Sequence, residues 1–64
     1  MSNIFSVGDI VDVVGQNIKG KVIEVYNGCR NIVIDDLDSE WEYPESRLEY
    51  RNDELSLIKG AKLN

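Results

Sequence analysis

The dipeptide Asn27-Gly28 separates two runs rich in β-branched and aromatic residues, GKVIEVY at 20–26 and NIVI at 31–34. Both residues of the pair tolerate positive φ, the twist that a tight antiparallel connection demands, so the centre of the chain is committed to a β-hairpin. Shorter runs of the same kind, divided by Gly, Asn, Asp and Ser, flank it on both sides and predict several short strands. Residues 9–14, DIVDVV, place Val11 and Val13 on one face and Asp12 on the other, and GQN at 15–17 turns the chain. Within GKVIEVY, Val22 and Val25 are three apart and share no face of a regular strand. A bulge or strong bend is therefore expected near Ile23 and Glu24.

Ile32 and Ile34 then share a face with Val33 opposite, and LDS at 37–39 predicts a turn. EWEY at 40–43 alternates Trp41 and Tyr43 against Glu40 and Glu42, which reads as a fourth strand. Pro44 lacks an N–H and ends that strand or confines it to an edge. PESRL suits a tight turn, LEYR at 48–51 extends again, NDEL at 52–55 makes a short turn, and SLI at 56–58 closes the chain as a strand. A helix over 44–58 is the competing reading, against which Tyr50-Arg51-Asn52-Asp53 interrupts the apolar spacing.

Sixty-four residues give room for one domain, and a chain of this length buries only about 60% of its unfolded surface. We expect a single unit over 1–64, with its core between about 6 and 59 and fraying ends at 1–5 and 60–64. Five short strands must bury a shared face, and closure into a small barrel would also protect their edges. Trp41 and Tyr26 are large enough that a core position is expected for them.

The order GDIVDV, GKVIEV, NIVIDD, a W-x-Y segment and ELSLI resembles the SH3-like small barrels, among them Tudor-type and KOW-type domains and small electron-transfer accessory subunits, over residues 8 to 58. Its most specific piece is Gly8, Asp9, Val11 and Val13 followed by a G-x-V. The resemblance implies an all-β, five-stranded SH3-like barrel with a short 3-10 turn near the C-terminal strand.

Twelve acids against seven bases leave a net charge of −5. That sign argues against direct nucleic-acid binding, which needs a basic stripe. The bases look scattered: Lys19 and Lys21 flank Gly20, Arg47 and Arg51 are four apart, and Lys59 and Lys62 lie in the tail. A lone Cys29 cannot form an internal disulfide, which favours a reducing, cytoplasmic setting. MSNIFSVGD lacks the basic start and apolar run of a signal peptide, and no stretch approaches the ~20 apolar residues of a membrane helix, so no membrane partner is expected.

With no histidine, a Ser-His or Cys-His pair cannot be assembled, and no enzymatic activity is expected. Asp36, Asp38 and Glu40 match the first ligand positions of a calcium loop, but Trp41 stands where the turn needs glycine and Arg47 where it needs glutamate. Zinc is disfavoured by one Cys and no His. No metal or cofactor is expected.

The candidate partner-binding residues are Trp41, Tyr43, Tyr26 and Tyr50 with Asp36, Asp38, Glu40 and Glu42. Aromatics beside acids can line a groove for a basic or extended peptide, and gathered more closely they would hold a methylated ammonium by cation–π attraction, as the resemblance to Tudor-type domains implies. We therefore expect a small protein-binding module, monomeric or weakly self-associating. Two other roles remain open: an acidic decoy that mimics nucleic acid, of the phage or mobile-element type, and an accessory subunit of a larger enzyme.

Overall fold

Antiparallel pairing joins all the strands of this computed structural model, which describes residues 4–61, into one sheet. The strands are β1 (Ile10–Val13), β2 (Lys19–Tyr26), β3 (Asn31–Asp36), β4 (Arg47–Arg51) and β5 (Leu55–Lys59), and a 3-10 turn, Asn52–Glu54, links the last two. Their order across the sheet is β4-β3-β2-β1-β5, so β4 and β5 stand at its two edges. The described residues are all-β, with five antiparallel strands in an open sheet that does not close into the expected barrel, β4 and β5 not being paired, and the region 44–58 holds turns, a strand, a 3-10 turn and a strand in place of a long helix.

Alternation decides which residues enter the core. Val11 and Val13 from β1, Val22 from β2, Ile32 and Ile34 from β3, and Leu55 at the start of β5 are buried together with Phe5. Ile18, Val25, Leu48 and Tyr50 pack against them. Each such aliphatic side chain, fully buried, contributes about 1.5–3 kcal/mol, which is where the stability of so small a chain must come from. The two valines of β2 reach one face because the β2–β3 register shifts between Val22, opposite Ile34, and Glu24, opposite Val33. Ile23 is the extra residue, where the sequence predicted a bulge.

Gly20 is buried beside Ile34: a Cβ there would lie 2.5 Å from Ile34 Cδ1. A side chain at this position would collide with the core. At the hairpin, Asn27, Gly28 and Cys29 have φ of 56°, 65° and 68°, and Arg30 N donates to Asn27 O at 3.2 Å. The connection is thus a curled loop of left-handed residues, from the pair that signalled it.

The Gly8-Asp9 pair has a structural role. The buried Asp9 carboxylate accepts Ser6 N at 2.8 Å on Oδ2 and Ala61 N at 2.7 Å on Oδ1, and Gly8, at φ 99°, leaves no space for a Cβ, which would sit 3.0 Å from Ala61 Cβ. One carboxylate therefore holds the two ends of the described chain together. Of the ends where fraying is expected, 1–3 and 62–64 lie outside the described residues; Phe5 lies in the core and Ala61 N donates to Asp9.

The fourth strand is not where EWEY predicts it. Residues 40–46 form bends and turns, and β4 begins at Arg47. Neither face of 40–43 meets the core: Trp41 is 70% exposed and Tyr43 53%. Tyr26, also expected inside, is 41% exposed. Side-chain bonds to the backbone explain the change, as described next.

Candidate functional site

The connection between β3 and β4, residues 37–46, carries most of the candidate residues. Asp36 Oδ1 accepts the N–H of Asp38 at 2.9 Å, and Ser39 Oγ accepts the N–H of Trp41 at 2.9 Å. Short polar side chains that bond the backbone two residues ahead favour turns over ladders, and both do so here. Ser39 N donates to Asp36 O at 3.3 Å, Glu45 N to Glu42 O at 2.9 Å, and Arg47 N to Pro44 O at 3.1 Å, so backbone donors that a strand would need are consumed locally. The Tyr43-Pro44 peptide is cis.

Ser46 anchors the far side of this loop. It is buried, its hydroxyl donates to Asp35 Oδ1, and its carbonyl accepts Asp36 N at 3.0 Å. Leu37 N donates to Lys19 O at 2.9 Å, tying the loop's start to β2. Two of the six carboxylates between 35 and 46 are thereby engaged in building the loop. Asp38, Glu40, Glu42 and Glu45 are exposed.

The loop thus holds Leu37, Trp41 and Tyr43, all more than half exposed, among acids, and no Lys or Arg occurs from 31 to 46. A core position is expected for Trp41 from its size, but the local hydrogen bonds deny 40–43 a place in the sheet, and both Trp41 and Tyr43 are exposed. Among the described residues, no group of three or more Asp, Glu, Cys or His is arranged to hold a metal ion, and no helix is long and apolar enough to cross a membrane. Cys29 is a free thiol, half-buried in the hairpin loop.

Tyr26 and Tyr50 stand elsewhere. The register sets Tyr26 opposite Asn31, and Ile32 opposite Tyr50, at the end of β3 remote from the loop. Tyr50 packs against the core, while the Tyr26 hydroxyl donates to Glu49 Oε2. That bond to Glu49 is the main cause holding the Tyr26 phenol above the ordinary tyrosine value; partial desolvation and the charges of Glu49 and Glu24 add to it, and Arg47 opposes it.

Sequence reading missed a second polar group. Asn27, Arg30, Asn31, Arg51 and Asn52 line an open cavity of about 410 Å³ at the hairpin end of the β3–β4 ribbon. Arg30 and Arg51 are far apart in sequence. The ladder that pairs Asn31 with Arg51, continued by the 2.9 Å bond from Asn52 N to Arg30 O, is what joins them.

Protein-family models, curated protein sequences and solved structures contain no significant match to this chain.

Proposed function

We propose that this chain is a small SH3-like domain that works as a non-enzymatic interaction module in a reducing compartment, binding a basic, extended segment of a protein partner through its β3–β4 loop. One observation carries the reading: Leu37, Trp41 and Tyr43 are all exposed on a loop whose free charges are all negative. Single exposed apolar residues are ordinary on protein surfaces, whereas three on a loop held by its own hydrogen bonds form a preorganised contact. Aromatic rings supply contact area and attract a Lys or Arg placed over their faces. Asp38, Glu40, Glu42 and Glu45 would steer that segment to the loop. The strand order, the bulge in β2 and the 3-10 turn before β5 support the SH3-like assignment.

Trp41 is the only tryptophan and so reports directly on this surface. Titration with an extended Lys/Arg peptide should change its fluorescence saturably, and Trp41→Ala should weaken binding, measured for both proteins by calorimetry, about tenfold or more, as for an aromatic anchor. Equal affinity of the variant would overturn the reading. The exposed acids also suit a decoy for a basic nucleic-acid-binding surface, which salt distinguishes. Contacts resting on the rings should persist near 1 M salt, where the screening length is ~3 Å, whereas purely electrostatic mimicry should vanish.

A further inference from the structure

We propose that the cavity lined by Asn27, Arg30, Asn31, Arg51 and Asn52 is a binding site for the phosphoryl group of a small phosphorylated molecule. In a chain of net charge −5, the residues lining this cavity are two arginines and three asparagines, with no acidic residue among them. The formal charge of the lining residues is thus opposite in sign to that of the molecule as a whole, with Glu49 and Glu54 standing just behind them. Clefts with walls of one sign concentrate counter-ions, and guanidinium is the side chain best matched to phosphate oxygens.

The cavity's frame is fixed before any ligand arrives. Arg30 is held through its backbone on both sides, by its N–H to Asn27 O at 3.2 Å and by its carbonyl receiving Asn52 N at 2.9 Å. Asn27 Nδ2 donates to Asn31 Oδ1 at 2.9 Å, and Asn31 Nδ2 to Glu49 Oε2 at 3.3 Å, so one carboxamide orients the next. Nearby acids have other bonds: Glu49 also receives the Tyr26 hydroxyl, and Glu54 Oε1 receives Arg51 N at 3.0 Å. Each guanidinium carries five N–H donors in a fixed fork, a number and geometry better matched to the three oxygens of a phosphoryl group than to the two of a carboxylate. A volume of about 410 Å³ exceeds what a bare phosphate fills and leaves room for a polar organic group bonded to it. Three carboxamides in the lining suit hydroxyl-bearing ligands over apolar ones.

The test is a side-chain NMR titration of the intact chain, observing Arg Nε–H and Asn amide signals, at constant ionic strength set with chloride. Inorganic phosphate and ribose 5-phosphate should move the signals of Arg30, Arg51, Asn27 and Asn31 saturably, the ester binding more tightly. Arg30→Gln and Arg51→Gln should each weaken binding about tenfold or more, the loss expected of a charge-assisted contact, while Lys19→Gln leaves it unchanged. Backbone spectra of the variants, superimposable away from the hairpin, establish that they fold. Shifts that do not saturate, or arginine variants that bind phosphate and the ester as tightly as the unaltered chain, would overturn the site. Acetate binding as tightly as phosphate would overturn the phosphoryl assignment, and a single-stranded oligonucleotide binding far more tightly than the ester would replace a small molecule with nucleic acid. None of these results depends on a peptide binding at the β3–β4 loop.

Discussion

The two ends of the β3–β4 ribbon lie about 16 Å apart, the length of six extended residues, and they use polar side chains in opposite ways. At the loop end, Asp35, Asp36, Ser39 and Ser46 are engaged by hydrogen bonds that shape the chain, and the exposed residues are the rings of Trp41 and Tyr43 with the acids Asp38, Glu40, Glu42 and Glu45 around them. At the hairpin end the turn is shaped by backbone, through three consecutive positive φ values, and the side chains of Arg30, Asn31 and Arg51 line a cavity. Where backbone conformation builds the turn, the side chains around it are polar and line a cavity, Asn27 and Asn31 bonded to one another; where side chains build it, apolar rings are left exposed.

The largest effect expected is from the core that both ends share. Ile34 is fully buried, faces Leu48 across the ladder and packs on Gly20. Ile34→Ala should remove about 2–5 kcal/mol of stability, the usual loss for a buried aliphatic side chain. Urea unfolding followed by Trp41 fluorescence reports the loop end, and far-UV circular dichroism reports the sheet. The two transitions should coincide and shift together; separate midpoints would mean that the loop end unfolds independently of the ribbon.

Ser46→Ala should separate the ends. It strips a buried donor from Asp35 and leaves that half-buried carboxylate short of a partner, at a cost of about 1–3 kcal/mol. Backbone chemical shifts should change over 35–47 while those of Arg30, Asn31 and Asn52 stay in place. Changes reaching the hairpin would refute the division of the ribbon into two independently built ends. Trp41→Ala should change stability by no more than about 0.5 kcal/mol, as expected of an exposed residue. A larger loss in urea unfolding would show that the ring supports the fold, which would weaken its reading as a free contact surface.

These ends also differ in how far the sequence reveals them. The hairpin, the bulge at Ile23, the strand at Val11 and Val13, and the closing strand were legible because each rests on neighbours in sequence: a turn dipeptide, a spacing of three, an alternation. EWEY misled because four alternating residues satisfy a strand pattern equally well in a loop, and the deciding bonds come from Asp36 and Ser39, just ahead of the run. The core position expected for Trp41 fails for the same reason, since ring size argues for burial only within a sheet. The arginine cavity left no local signal. It depends on the pairing of Asn31 with Arg51, and register between strands separated by a long connection is not written in either strand alone.

The smallest effect expected borders the arginine end and depends on pH. In the folded chain, the Tyr26 phenol holds its proton to higher pH than an ordinary tyrosine, first because its O–H donates to Glu49. The folded state therefore binds more protons than the unfolded one as pH rises past about 10, the ordinary tyrosine value. This contribution is complete below that pH and is lost as pH climbs through the raised value, where phenolate would face the Glu49 carboxylate. Tyr26→Phe cannot donate or ionise, so its urea midpoint should fall less steeply than that of the unaltered chain between pH 9 and 11. Every other group is common to the two proteins, so the difference between the two slopes isolates Tyr26. Equal slopes would mean that the hydroxyl–carboxylate contact contributes nothing in solution, and the orientation of Glu49 beneath Asn31 would then need another cause.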